Sequence, residues 1–272
     1  MDPLLIAVAP SIPPYMRDGL PPLDLSPEGI ADEVVRAWEA GASLAHLHVW
    51  DAEGQPTQSL DAFERTIALI KDRCDIIVEG STGGFNDLTP AARSVALHAD
   101  IEMASFNPGS VNYDAGVYIN PPDAIAYWAE EMHRRGIKPD VAIFEAGMIA
   151  NATRFIAEGC FAPPTLFSFV LGQTGALEAT PRNLCFLAES LPDGALWAAV
   201  GHSGHDLQVA AMAMSMGGHV RAGFEDNPFY RPGEPATDNA QLVARLARIA
   251  GELGRAIASP TLAREMLGLK AV

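Results

Sequence analysis

The sequence predicts an α/β fold, a (β/α)8 barrel of the TIM type, and three observations lead there. Eight short apolar runs rich in branched residues alternate with stretches of helical period along 272 residues. Each run is apolar enough to be covered on both faces, as parallel strands are. Polar residues gather just after nearly every run, at the strand ends where a closed barrel collects its site; an open doubly wound sheet is the competing arrangement. Residues 1–272 read as one barrel domain with the site at the C-terminal ends of its strands.

Taken in order, residues 4–9 form the first strand and run into Pro10-Ser11. A helix follows, with Ser26 as cap, Pro27 in the first turn, Glu28 favouring the dipole, and Ile30, Val34, Val35 and Trp38 as its stripe before Gly41 stops it. The second strand, residues 43–50, carries His46 and His48 and runs into Asp51. The third, residues 75–81, ends in Glu79-Gly80-Ser81-Thr82-Gly83-Gly84, and Thr89-Pro90 opens the helix behind it. The fourth, residues 101–106, leads through Ser105 into Asn107-Pro108-Gly109-Ser110, with Pro121-Pro122 starting its helix. The fifth, residues 140–147, carries Glu145; the sixth spans residues 165–172; the seventh, residues 196–202, runs into His202-Ser203. Met212, Met214 and Met216 read as core packing on the next helix. The eighth strand, residues 219–226, carries Arg221, Glu225 and Asp226. A closing helix after Asp238 places Leu242, Leu246, Ile249 and Leu253 on one face.

With 34 acidic and 18 basic side chains, the net charge is −16, and the basic residues are scattered, which speaks against nucleic acid as a partner. Cys74, Cys160 and Cys185 are odd in number and lie in apolar stretches, so they read as buried thiols in a reducing compartment. The N-terminus lacks a positive n-region and an h-region, and no stretch reads as a membrane span. A cytoplasmic location follows as the expectation, with no membrane partner.

Three local patterns carry chemistry. On a strand, His46 and His48 face the same way, which suits a shared metal; a hydrogen-bonded core histidine beside a pocket histidine is the plainer alternative. Alternation along the last strand sets Arg221, Gly223 and Glu225 on one face, so Glu225 can supply a third ligand, or else pair with Arg221 at a solvated mouth. Two imidazoles and a carboxylate leave an open coordination position, the pattern of a catalytic zinc, with Mn2+ or Fe2+ as other occupants. The Ser81-Thr82-Gly83-Gly84 turn can aim backbone N–H groups at an anion or can be a simple tight turn, and Asn107-Pro108-Gly109-Ser110 has the same two readings.

Taken together, His46-Leu47-His48-Val49, Ser81-Thr82-Gly83-Gly84, Phe144 to Met148, Phe169-Val170-Leu171-Gly172, Met216 to Arg221 and Gly223-Phe224-Glu225-Asp226-Asn227 resemble the β-keto acid cleavage enzymes, the family of the 3-keto-5-aminohexanoate cleavage enzyme. The resemblance implies a homotetrameric barrel with zinc on His46, His48 and Glu225. It implies transfer between a β-keto acid and acetyl-CoA, giving acetoacetate and a new acyl-CoA. Asp226, oriented by Arg221 and working with Ser81, would remove the proton that starts C–C bond formation. Thr82, Gly83, Gly84, Ser105 and Asn107 would hold the substrate. Against the family pattern, Pro14 replaces an acidic residue, Trp50 and Gly204 each replace an Arg, and Ala142 replaces an acidic residue on the fifth strand. Pro13, Pro14, Tyr15 and Trp50 make the expected pocket more apolar than that of amine-binding relatives. Two other functions stand beside this one: a CoA-independent metal-dependent lyase, aldolase or hydrolase of a keto acid, and a non-catalytic metal-containing binder of small molecules.

Overall fold

Period two along the strands decides what fills the interior. The computed structural model describes residues 2–18, 20 and 22–270. In it, β1 (Ile6–Val8), β2 (Leu44–Leu47), β3 (Ile77–Gly80), β4 (Met103–Phe106), β5 (Lys138–Ile143), β6 (Leu166–Leu171), β7 (Leu196–Gly201) and β8 (His219–Ala222) close a parallel barrel in chain order. The seam between β8 and β1 pairs Ile6 with Val220 and Ala7 with Arg221. The TIM-type barrel predicted from the alternation is the observed fold.

Helices α1 (Pro27–Glu39), α2 (Leu60–Lys71), α3 (Pro90–Arg93), α4 (Pro122–Arg135), α5 (Gly147–Ala157), α6 (Pro181–Glu189), α7 (Asp206–Ser215) and α8 (Asn239–Glu252) follow the strands in turn, and α9 (Pro260–Leu267) ends the chain. Leu5, Ala7, Leu44, Ile77, Met103, Leu166 and Ala198 fill the lower interior, and Ala258, Ala263 and Leu267 close it from below. The other buried cluster packs the outer faces of the strands against the helices. Two residues further along β2 and β3, the interior changes from Leu44 and Ile77 to His46 and Glu79. An apolar plug therefore supports a polar layer at the strand ends, where the site is expected.

Local chemistry sets several of the boundaries. Ser26 Oγ accepts the Gly29 N–H at the start of α1, and Gly41 takes φ +115° beyond its end. Thr89 caps α3, which lasts one turn before a 3-10 segment, Val95–His98, replaces it. Strand β5 stops at Ile143, and Gly147 opens α5 instead of ending the strand. Cys74 is buried as expected, but Cys160 is half-buried and Cys185 is exposed, because α6 turns Leu184 and Leu187 inward and leaves Cys185 outside. Of the three methionines, Met214 is buried, Met212 is half-buried and Met216, at the C-cap of α7, is exposed. Leu253 likewise sits at the C-cap of α8, outside the buried stripe formed by Leu242, Val243, Leu246 and Ala250.

The eighth strand ends four residues earlier than alternation predicts. At Gly223 the chain takes φ +149°, and a Cβ there would lie 2.2 Å from the carbonyl oxygen of Ala9. The turn it makes is closed by Asp226 and Asn227 N–H groups donating to Gly223 O, while Glu225 N–H donates to Ala9 O. Asn239, fully buried, clamps the same turn: its Oδ1 accepts the Phe224 N–H and its Nδ2 donates to Pro10 O and Glu33 Oε2. Gly223→Ala is expected to cost about 2–4 kcal/mol, since neither φ nor backbone clearance suits a side chain. Chemical denaturation monitored by circular dichroism checks this, and a loss under about 0.5 kcal/mol, the range of a neutral surface change, would refute it.

Candidate functional site

His46 leaves the inner face of β2 and His48 follows it by two residues, with ring centroids 5.2 Å apart. The Gly223 turn brings Glu225 against both: its Oε1 lies 3.7 Å from Nε2 of each imidazole. One ligand atom from each of the three residues lies within 4.8 Å of the others. Burial keeps both imidazoles neutral, pushing His48 down to about 4 and His46 in the same direction. Burial alone would raise the Glu225 carboxyl, but the Arg221 guanidinium beside it outweighs burial and holds it below the usual carboxylate range. Two neutral imidazole nitrogens and an ionised carboxylate are the donor set of an open catalytic zinc site, so the residues present fit such an ion. Among the described residues, Glu225 Oε2 is buried without a hydrogen-bond partner, which leaves it free to ligate.

Arg221 joins this cluster to a second carboxylate. Its Nε donates to Asp226 Oδ2 at 2.9 Å, and its Nη2 donates to Asp226 Oδ1 at 2.8 Å and to Glu225 Oε1 at 2.6 Å. His202 Nε2 stands 3.4 Å from Asp226 Oδ1. Asp226 is only 1% exposed, so its charge is held by this fork of donors and not by water.

Behind His46 lies a buried acidic pair. Glu79 is the direct register partner of His46, and its Oε1 is 2.5 Å from His46 Nδ1. Burial raises the Glu79 carboxyl to about 7. Burial and the neighbouring Glu79 also raise Asp140, whose Oδ1 accepts the Ser168 hydroxyl at 2.6 Å. With Nδ1 engaged by Glu79, His46 presents Nε2 toward Glu225, which fixes the tautomer a metal ligand requires.

His46, His48, His202, Arg221 and Glu225 line a cavity of about 460 Å3 above the polar layer, with Asp226, Glu79 and Asp140 behind that lining. Its polar lining also includes Ser11, Ser81, Ser105 and Asn107, while Ala142, Val170 and Val200 face in from β5, β6 and β7. Four loops complete the mouth: residues 13–15 after β1, Trp50 after β2, Phe85 after β3, and a hairpin after β4 formed by Val111–Tyr113 and Gly116–Tyr118. Arg93 anchors that hairpin. Its guanidinium stacks on Tyr118 and Trp128 and donates to Thr82 O, Ile119 O and Asn120 Oδ1.

A profile of the beta-keto acid cleavage enzymes matches residues 3–269. The chain belongs to this family. It is 38% identical, over 99% of both chains, to the 3-keto-5-aminohexanoate cleavage enzyme of Fusobacterium nucleatum. It is 33% identical to the 3-oxoadipate:acetyl-CoA acetyltransferase of Cupriavidus necator, over 97% of this chain and 93% of that one. Among solved structures, ObcA in ternary complex with a C4-CoA adduct and oxalate superposes with a TM-score of 0.76 at 22% identity, over 90% of this chain and 67% of ObcA, a likeness of fold.

For this cleavage-enzyme barrel, the structure brings His46, His48, Glu225, Arg221, Asp226, Ser81, Ser105 and Asn107 to one end. The Ser81-to-Gly84 turn differs from an open anion cradle. Thr82 N–H donates to Ser105 Oγ and Gly83 N–H to Ser81 Oγ, so both amides already have partners. Thr82 is fully buried, its hydroxyl donating to Ser105 O, whereas Gly83 and Gly84 line the cavity. Sequence reading missed the pairing of Glu79 with His46, the buried Asp140, and the tyrosines of the hairpin. Glu79 stood in a recognised motif, but its partner is set by strand register across 33 residues.

Proposed function

We propose that this protein is a zinc-dependent β-keto acid cleavage enzyme that uses acetyl-CoA as co-substrate. Its single barrel domain would span residues 1–272, with zinc on His46, His48 and Glu225. The observation that carries the reading is that the Gly223 turn brings Glu225 to His46 and His48 and Asp226 to Arg221, a ligand site and a held base side by side. Support for acetyl-CoA comes from the names of relatives such as the C. necator acetyltransferase. Family resemblance supports a homotetramer, and the free thiols of Cys74, Cys160 and Cys185 suit a reducing cytoplasm. No helix among the described residues is long and apolar enough to cross a membrane.

The bound zinc would supply Lewis-acid polarisation of the keto acid's carbonyl. Asp226 accepts a proton from C2 of the keto acid, while Arg221 keeps the carboxylate oriented. Ser105 and Asn107 position the substrate carboxylate, and Ser81 donates to developing negative charge. Carbon C2 then attacks the acetyl thioester. The CoA thiolate released adds to C3 and takes over the original acyl group, the C2–C3 bond breaks, and the proton held by Asp226 returns to C2 to give acetoacetate. In sum, RCOCH2COO− and acetyl-CoA become acetoacetate and RCO-CoA, with two carbons of the acetoacetate derived from the acetyl group.

The label therefore tests the reading. Zinc-loaded protein given a β-keto acid and doubly 13C-labelled acetyl-CoA should yield acetoacetate two mass units heavier, together with unlabelled acyl-CoA. Turnover of the keto acid without acetyl-CoA would replace this reading with the CoA-independent lyase or hydrolase, and zinc binding with no turnover would replace it with the binder.

Glu79 enters as a positioning residue. Glu79→Gln replaces the carboxyl that orients His46 through Nδ1 with an amide, and is expected to weaken zinc binding about 10- to 100-fold while the fold persists. Chelator competition measures the affinity; an unchanged value would remove Glu79 from metal positioning.

A further inference from the structure

The distribution of charge in the cavity is one-sided. Among the described residues, its charged or ionisable acid–base lining consists of His46, His48, His202, Arg221 and Glu225, all on β2, β7 and β8 or the turns just beyond them. On the remaining walls and at the mouth, the lining is apolar, aromatic or neutral. Tyr113, Tyr118 and Phe144 meet edge to face, with centroids 6.2–6.3 Å apart. Pro14, Tyr15 and Trp50 continue that surface from the first two loops.

Neighbouring charges are turned to other work. Arg17 stacks over Trp50 at 4.4 Å and donates to Ile12 O and Gly54 O, and it does not line the cavity. Arg93 is 3% exposed and fully engaged beneath Tyr118. Asp114 sits on the exposed tip of the hairpin, outside the lining. At the mouth, Tyr15 Oη and Tyr113 Oη stand 3.4 Å apart, within hydrogen-bond reach, and burial keeps the Tyr113 hydroxyl neutral.

Resting on the function proposed above, we infer that the keto acid cleaved here carries an uncharged, apolar acyl tail, received by the surface of Pro14, Tyr15, Trp50, Tyr113, Tyr118 and Phe144. An ammonium or carboxylate on the tail would be taken from water to a wall that offers no counter-charge, a desolvation that is not repaid. An alkyl tail gains from the same burial. The names of the relatives point to an amino-substituted acid in one case and a dicarboxylic acid in another, and an uncharged tail would set this chain's substrate apart from both.

The experiment compares 3-oxohexanoate, 5-amino-3-oxohexanoate and 3-oxoadipate as substrates of the zinc-loaded protein, with labelled acetyl-CoA and acetoacetate read by mass. The expected result is a kcat/KM for 3-oxohexanoate about 100-fold or more above either charged acid. Tyr15→Arg, on an exposed position at the mouth, is expected to raise 3-oxoadipate relative to 3-oxohexanoate about 10-fold by adding a counter-charge. A charged acid that matches or beats 3-oxohexanoate in the parent protein overturns the inference while leaving the cleavage reaction intact. If none of the three acids gives labelled acetoacetate, the proposed reaction falls and the inference falls with it.

Discussion

Glu225→Gln is expected to fold, to bind zinc at least about 100-fold more weakly, and to lose turnover by about 1000-fold. The reason lies in what each partner loses. An amide oxygen is a weaker ligand than a carboxylate and brings no negative charge to offset a dication between two neutral imidazoles. Arg221 keeps its two bonds to Asp226, so the substitution leaves that cation paired. A loss of fold would require Glu225 to be a structural anchor, yet its Oε2 has no partner among the described residues and its turn is fixed by backbone bonds and by Asn239. Circular dichroism, zinc competition with a chelator and labelled-acetoacetate formation separate the effects. Undiminished zinc affinity would mean the ion is held elsewhere or not at all.

The fold was legible because its signal is local and repeated: each strand announces itself by branched residues, and each site residue follows within a few positions of a strand end. His46 and His48 were legible because i and i+2 share a face of an extended chain, although β2 ends at Leu47 and His48 stands just beyond it. Glu225 was identified by an argument the structure replaces. Alternation along an extended strand would set Glu225 beside Arg221, but the strand stops at Ala222, and the Gly223 turn delivers the carboxylate to the histidines. Glu79 and Asp140 were out of reach because their roles depend on register between strands, which no short window contains. Tyr113 and Tyr118 lie in a stretch with no long apolar run, and their hairpin is secured from outside by Arg93 and by Asn86, which bonds both Val117 O and Ile119 N–H. Position in the barrel could be read from sequence; the second layer of contacts, made between distant segments, could not.

Asp226→Asn separates the base from the metal. The variant should keep zinc, because Asp226 is not among the three clustered ligands, and should lose about 100- to 10,000-fold in kcat, the range typical of a missing general base. Asparagine Oδ1 still accepts from Arg221, but its Nδ2 meets the same guanidinium as a donor, so the fork keeps one of its arms and loses the charge that balanced it. Rate alone would not distinguish a base from a residue that only holds Arg221 in place. Proton exchange does. With the keto acid in deuterated water and no acetyl-CoA, the parent enzyme should exchange the C2 protons above the uncatalysed rate, because abstraction precedes C–C bond formation. Asp226→Asn should reduce that exchange to background. Exchange that persists in the variant while overall turnover falls would assign proton removal to another group, leaving Asp226 to orient Arg221.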